Sequence, residues 1–279
     1  MGEYMEEYNY VFVILVYRNF EDLKECIESI QSKVVNYRII IVNAYYDSES
    51  ENKVKKIAET YDCDFLSEPN KGYSYGNNAG IRYASLNYHF EYIIVSNPDI
   101  VINKFPDSKY KGDIIAPEII AASGKTQNPM YIKYNKLTDW MVYRSFKNNQ
   151  RWLLFVALGI NKLVRKLSFF LINRNKNTYS IYAAHGSFVL LSNKAVTVLS
   201  ADGGTVYDEN IFLFAEEMVL AAKARKLCLK TIFDKTISVF HKEDGSMNLS
   251  NISIQGELAK GNIYYYEHYI KNNVSKKRK

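Results

Sequence analysis

Val11-Phe12-Val13-Ile14-Leu15-Val16-Tyr17 is an unbroken apolar run, the pattern of a parallel β-strand buried on both faces. Working outward from it, Glu21–Ser32 places Leu23, Ile27 and Ile30 at helical spacing. Tyr37–Asn43 is rich in β-branched residues and predicts a second strand, and Glu51–Tyr61 a second helix. A short strand around Phe65, a helix over Tyr75–Asn87 and an apolar strand over Tyr92–Ser96 continue the alternation. Strands alternating with helices predict an α/β fold of right-handed units on a parallel sheet. Ligands in such sheets sit beyond the carboxyl ends of the strands. Tyr17, the stretch Asn43 to Asp47, and Asn97-Pro98-Asp99 fall at those ends.

Beyond about residue 110 the alternation weakens. Gly112–Pro117 and Ser187–Leu191 predict further strands, Asp208–Lys226 a turn entering a helix, and Thr231–His241 a final extended segment. No repeat or Pro/Ser-rich linker divides the 279 residues, which predicts one body carrying an insertion. With 47% hydrophobic and 24% charged residues, 13 Gly and 5 Pro, a disordered or collagen-like chain is excluded. Cys26, Cys63 and Cys228 are odd in number and lie outside any CxxC pair, so they read as ordinary thiols of a reducing compartment. The acidic start MGEYMEEYNY has no secretory pattern, and no apolar run reaches the ~20 residues of a membrane span, which predicts a cytoplasmic protein.

The formal charge of +6 is unevenly placed. Tyr131 to Thr178 holds ten Lys or Arg against one acid, Asp139, and the tail Lys276-Lys277-Arg278-Lys279 is wholly basic, leaving the remainder acidic. The insertion is also greasy: Trp152 to Ile160, then Leu163, Val164, Leu167 and Phe169 to Ile172, with Lys162, Arg165 and Lys166 between. That mixture predicts an amphipathic helix or hairpin on an anionic membrane surface. The alternatives are a helix pair packed on the body or on a partner subunit, and a scaffold binding lipid or nucleic acid.

Four stretches have residue types suited to chemistry. Asn70-Lys-Gly72-Tyr-Ser-Tyr-Gly76-Asn77-Asn-Ala-Gly80 is a glycine-rich turn entering a helix, where backbone N–H groups can approach phosphate or sugar oxygens. It is neither a P-loop nor a dinucleotide fingerprint. Asn97-Pro98-Asp99 puts a carboxylate where it can hold a hard divalent cation, although the same tripeptide also makes a plain Asx-turn. Glu216 and Glu217 are neighbouring carboxylates at a helix start, able to raise one another's pKa and serve as a base, or simply to favour the helix dipole. His241-Lys242-Glu-Asp-Gly-Ser246 ends the last strand; its histidine is a candidate ligand, and Lys242 and Ser246 are candidate phosphate contacts.

Taken in order, these stretches resemble a family 2 glycosyltransferase with the nucleotide-sugar-binding GT-A fold, and among those the bacterial surface-polysaccharide and rhamnosyltransferase-like enzymes. Phe212-Leu-Phe-Ala-Glu216-Glu217 resembles their FLYGEE or FxED motif, and Asn70 to Ile81 their NxGxxxGNNxGI. The resemblance covers most of the chain and covers the insertion least. It implies a Rossmann-like mixed sheet flanked by helices. The nucleotide-sugar half would occupy about 1–117, the basic insertion about 130–178, the acceptor half about 179–250, and a C-terminal helix with its basic tail 251–279.

The resemblance also implies roles. Tyr17 and Arg18 fall on the strand-one turn that holds the nucleotide. The family's DNxSxD reads Val42-Asn43-Ala-Tyr-Tyr-Asp47 here, leaving Asn43 or Asp47 to meet base or ribose. Asn70, Gly72, Gly76, Asn77, Asn97 and Asp99 complete the donor side. Asp99, the single carboxylate in place of a DxD motif, and His241 would hold Mg²⁺ or Mn²⁺. Glu217 would be the catalytic base, with Glu216 orienting it or binding acceptor. His185, Gly186 and Ser187 would lie beneath the acceptor. The implied reaction is inverting, metal-dependent transfer from a UDP- or dTDP-sugar, dTDP-rhamnose among them. The acceptor would be a hydroxyl of a glycan or polyprenyl-diphosphate-linked sugar at the inner membrane face, with no nucleic acid partner. An inactive relative on the same fold is the alternative.

Overall fold

A computed structural model of the chain describes residues 5–171, 176–243 and 253–271, with backbone only over 169–171. Ser246 and the basic tail lie outside the described residues. The first half alternates as the sequence predicts: β1 (Glu6–Val16), α1 (Glu21–Lys33), β2 (Tyr37–Tyr45), α2 (Ser48–Thr60), β3 (Asp64–Pro69), α3 (Tyr73–Asn87) and β4 (Tyr88–Ser96). β2, β1 and β4 lie side by side and parallel, with β3 parallel on the far side of β2. β1 is buried on both faces because its side chains alternate. Phe12, Ile14 and Val16 meet Leu23, Ile27 and Ile30 of α1, while Val11 and Val13 meet Ile81 and Ala84 of α3. The glycines of α3 permit that approach. A Cβ on Gly76 would stand 2.4 Å from Leu15, and one on Gly80 would stand 2.4 Å from Val13.

The second half supplies β5 (Ile100–Lys104), β6 (Ile114–Ala121), α4 (Lys136–Lys147), α5 (Arg151–Leu171), β7 (Thr178–Ser180), β8 (Phe188–Ser192), α6 (Asn193–Leu199), α7 (Glu216–Lys226), β9 (Thr231–His241) and α8 (Ile254–Tyr265), continued by a π-helical turn over Tyr266–Lys271. The sheet order is β3-β2-β1-β4-β8-β6-β9-β5, with β7 on β9, nine strands among the described residues. β8 runs antiparallel to β4 and β6, whereas β6 and β9 are parallel. The carboxyl ends of β1, β2, β3, β4 and β9 and the amino end of β8 therefore share one edge. β5, β7 and α6 were not predicted; each is seven residues or shorter, too little for a period to register.

A third apolar cluster joins α4, α7 and α8 through Tyr143, Met218, Val219, Tyr265 and Tyr266, with Tyr143 and Tyr266 stacked at 4.4 Å. α5 packs on α4 and leaves its other side in solvent. Trp152 is 62% exposed and Phe155 69%, with Val156, Leu163 and Leu167 along the same stripe and Lys162 and Lys166 beside it. Arg165 donates to the carbonyl and hydroxyl of Thr126 at 3.3 and 3.4 Å, which ties α5 to the loop after β6. Among the described residues no helix is long and apolar enough to cross a membrane.

Candidate active site

At the shared edge, Tyr17 and Arg18 leave β1 and Tyr46 and Asp47 leave β2. The Arg18 guanidinium lies 4.0 Å over the Tyr46 ring, and Tyr17 meets the same ring edge-on at 6.0 Å. Arg18 has left-handed backbone (φ 59°), which turns the chain there. Asp47 caps α2 by accepting from the Ser50 amide at 2.7 Å. That hydrogen bond, with the Arg18 charge as a lesser cause, holds its carboxyl below the ordinary value. Asn43, near the end of β2, is buried, and its Nδ2 has no hydrogen-bond partner among the described residues.

The glycine-rich turn has a mainly architectural geometry. Gly72 begins α3 at φ 100°, and a Cβ there would stand 2.3 Å from the Phe212 carbonyl. Asn70 Oδ1 accepts from the Gly72 amide at 3.3 Å, and the Tyr73 amide donates to the Phe212 carbonyl at 2.8 Å. Asn77 is fully buried and donates to the Tyr73 carbonyl at 3.0 Å, and its Oδ1 has no partner among the described residues. Gly76 and Asn77 thus face the interior, while Gly72 and Tyr73 join this turn to the loop that carries the acidic pair.

Asn97 leaves β4 and its amide donates to the Ser187 carbonyl at 2.8 Å, which fixes the Asn97 turn against the start of β8. Asp99 is 2% exposed, and its Oδ2 lies 3.3 Å from His241 Nε2 at the end of β9. His241 Nδ1 lies 2.8 Å from Gln127 Oε1, and Gln127 Nε2 donates to Glu243 Oε1 at 3.0 Å. Among the described residues no three His, Cys, Asp or Glu side chains converge as a metal cage. The Asp99–His241 pair nevertheless fits part of one. Two atoms ligating one octahedral cation at ~2.1 Å sit about 3 Å apart, and Mg²⁺ ordinarily takes its remaining ligands from phosphate and water. Lys242 is committed elsewhere, pairing with Asp22 at 2.7 Å and Glu25 at 2.5 Å on α1, so a phosphate would compete with two carboxylates for it.

The acidic pair opens α7 after a strained turn. Phe214 and Ala215 both have left-handed backbone, φ 67° and 70°, a cost of order 1–3 kcal/mol for each non-glycine residue. α8 braces that turn from behind: a Cβ on Gly261 would stand 2.4 Å from the Phe214 carbonyl. Tyr264 and Tyr269 donate to Asp208 Oδ2 at 3.0 and 2.6 Å. Glu216 is buried and its Oε2 has no hydrogen-bond partner among the described residues. Burial first, and the Glu217 charge second, push its carboxyl well above the ordinary range, which favours its protonated form.

Glu217 is less buried, and its Oε1 accepts from the Gly186 amide at 3.3 Å. His185 stands between the two halves of the site, its ring 6.0 Å from that of His241. Its Nδ1 accepts from the Ser187 amide at 3.2 Å, which leaves the proton of the neutral ring on Nε2. Burial, opposed by Glu217 and aided by His241, lowers its proton affinity.

The fold therefore gathers Asn97, Asp99, His185, Gly186, Ser187, Glu216, Glu217 and His241 around one segment, with Tyr17, Arg18 and Asp47 along the same edge. Sequence reasoning missed Gln127, Asn128 and Glu243. Asn128 holds His185 in place, its Oδ1 accepting from the His185 amide at 2.8 Å while its Nδ2 donates to the Pro117 carbonyl at 3.0 Å.

Residues 11–107 match the sequence profile of Glycosyl transferase family 2. That segment is a family 2 glycosyl transferase segment. The chain is 24% identical over 224 residues to the low-salt glycan biosynthesis hexosyltransferase Agl10 of Haloferax volcanii, an alignment covering 77% of this chain and 61% of that protein. It thus spans less than two thirds of that relative's length. Its fold is GT-A. It superposes on GalNAc-T7, crystallised with UDP, GalNAc and Mn²⁺, at a TM-score of 0.55 and 12% identity, over 87% of this chain and 44% of the other. Residues 1-349 of S. aureus TarS in complex with UDP give 0.53 at 11% identity, over 97% and 75%.

Proposed function

We propose that the chain is an inverting glycosyltransferase that moves a sugar from a nucleoside-diphosphate sugar to a hydroxyl of a glycan or lipid-linked acceptor. The observation that carries this reading is the flanking of His185-Gly186-Ser187 by two groups. Glu217 lies against Gly186 on one side, and the Asp99–His241 pair lies beside His185 on the other. A sugar hydroxyl ionises far above neutral pH and needs a positioned base as it attacks. Glu217 takes that proton, held by the Gly186 amide. Burial raises the proton affinity of Glu216, and the neighbouring Glu217 charge adds to that, so the protonated form of Glu216 is favoured beside the base. As the acceptor oxygen bonds to the anomeric carbon, the bond from that carbon to the diphosphate breaks, and single displacement inverts the configuration.

Asp99 and His241 would hold a divalent cation, which when bound neutralises charge on the departing diphosphate. Arg18 stacked on Tyr46, with Tyr17 edge-on, forms a platform suited to a nucleobase. UDP in the GalNAc-T7 and TarS structures and Mn²⁺ in the former support a UDP- or dTDP-linked donor and that metal. Agl10, a hexosyltransferase by name, supports transfer of a six-carbon sugar. The exposed stripe of α5, with Trp152 and Phe155 beside Lys162 and Lys166, would rest on an anionic membrane face and bring a lipid-linked acceptor to the site. Calorimetric titration with UDP, dTDP and GDP, with and without Mn²⁺, tests the reading. Metal-dependent binding of one nucleotide, lost in Asp99→Ala, is expected; equal binding by both proteins would contradict it.

A further inference from the structure

The loop after β6 carries three consecutive polar residues, two of which hold parts of the site and one of which holds α5. Thr126 holds Arg165 of α5, Gln127 holds His241, and Asn128 holds the His185 amide. The middle contact determines what His241 can do. Gln127 Nε2 points at the Glu243 carboxylate, 3.0 Å away, which can only accept, so the amide is oriented with its Oε1 towards His241. An amide oxygen cannot donate. His241 Nδ1, 2.8 Å from that oxygen, must therefore carry a proton and donate it. In the neutral ring this leaves the lone pair on Nε2, the nitrogen 3.3 Å from Asp99 Oδ2. A lone pair and a carboxylate oxygen facing one another repel unless a proton or a metal cation lies between them. Glu243 itself sits in left-handed backbone (φ 62°), so the residue that orients the amide is held in an uncommon conformation.

We propose that Gln127, oriented by Glu243, is a positioning residue that fixes the His241 tautomer and ring so that Nε2 and Asp99 together take a divalent cation. The inference rests on the metal-dependent reading above and deepens it. Gln127 touches neither the cation nor the substrate; it acts through His241. A hydrogen-bond acceptor behind a ligating imidazole ordinarily contributes 10–100-fold to metal affinity.

The test is Mn²⁺ binding to the full chain, followed by electron paramagnetic resonance in the presence of UDP or dTDP. Five proteins are compared: wild type, Asp99→Ala, Gln127→Leu, Glu243→Gln, and the exchange Gln127→Glu with Glu243→Gln. Thermal unfolding confirms that each is folded. Gln127→Leu, which keeps the size and removes the acceptor, is expected to weaken Mn²⁺ binding about 10–100-fold. The exchange restores both hydrogen bonds with donor and acceptor reversed at the second one, and it should return affinity to within a few-fold of wild type. A merely structural role for Gln127 predicts no such rescue. ¹⁵N chemical shifts of His241 should report the Nδ1–H tautomer in wild type and in the exchange, and a mixture in Gln127→Leu. Wild-type affinity in Gln127→Leu, with Asp99→Ala defective, overturns the inference and leaves the metal reading standing. Failure of the exchange to rescue a weakened Gln127→Leu also overturns it. If Asp99→Ala binds Mn²⁺ as wild type does, or wild type binds none, the metal reading fails and takes the inference with it.

Discussion

Glu217 Oε1 is 3.3 Å from the Gly186 amide, and a Cβ placed on residue 186 would stand 3.1 Å from that same oxygen and 3.3 Å from Glu217 Cγ. The candidate base and the His185–Ser187 segment are therefore in contact, with little room for a side chain between them. Gly186→Ala should move the carboxylate by several tenths of an ångström and leave the fold intact. Misplacement of about 1 Å costs roughly 10²-fold in rate. We expect a fall of about 10–100-fold in kcat with little change in donor KM, measured as nucleotide release under steady-state conditions. An unchanged kcat would show that Glu217 has no fixed geometry to lose.

The two adjacent acids should separate cleanly in mutagenesis. Glu217→Gln removes the proposed base and is expected to lower turnover by about 10²–10⁴-fold. Glu216→Gln replaces a carboxyl whose proton affinity burial has raised, so its signature lies in stability. A carboxyl raised above its ordinary 4.5 binds a proton in the folded state that the unfolded chain has released. Its contribution is complete below about pH 4.5 and is lost as pH rises towards the folded value. Thermal melts at pH 5 and pH 8 should show a smaller drop for Glu216→Gln than for wild type. Parallel pH dependences would mean that Glu216 is ionised in the native protein.

Gly72 and Gly124 offer a matched comparison, since both have positive φ, 100° and 74°. Nothing lies within 4 Å of a Cβ on Gly124, whereas one on Gly72 meets the Phe212 carbonyl at 2.3 Å. Gly124→Ala should cost only the left-handed backbone penalty, about 1–2 kcal/mol. Gly72→Ala adds a backbone clash of about 1–3 kcal/mol and pushes the acidic-pair loop aside. Denaturant unfolding should rank Gly72→Ala as the less stable. Equal midpoints would mean that the two loops do not pack as described.

Much of this arrangement was legible in the chain itself. The unbroken apolar run of Val11–Tyr17, the turn at Asn97 to Asp99 and the acidic pair after Phe212-Leu-Phe-Ala each rest on local pattern; the first forms a buried strand that ends at the shared sheet edge, and the other two lie there. Gln127 was not legible. It lies in a polar loop without period and reaches His241 across 114 positions of sequence, a contact set only by the parallel pairing of β6 with β9. Gly76 and Asn77 misdirect in the opposite sense. Their types fit a ligand loop, yet α3 turns them inward against β1. The brace of α8 on Phe214 through Gly261 has no sequence signature, because a single helical glycine says nothing about which backbone it meets.

The outer face of α5 should behave as a lipid-binding surface. Trp152→Ser with Phe155→Ser removes two side chains that are 62% and 69% exposed, so stability should change by less than about 0.5 kcal/mol. Co-sedimentation with phosphatidylserine-containing vesicles at low salt should fall several-fold in the double variant. Lys162→Glu with Lys166→Glu should abolish the preference for anionic over neutral vesicles. Wild-type protein that stays in the supernatant with both vesicle types would remove the membrane from the account.

The most direct test of the central claim is release of nucleoside diphosphate from a panel of UDP-, dTDP- and GDP-sugars, with Mn²⁺, Mg²⁺ or EDTA. Transferases that hydrolyse their donor slowly reveal themselves without a known acceptor. The account predicts turnover of one donor that requires the metal and is lost in both Glu217→Gln and Asp99→Ala. Turnover that persists undiminished in Glu217→Gln, or that EDTA leaves unchanged, would contradict it.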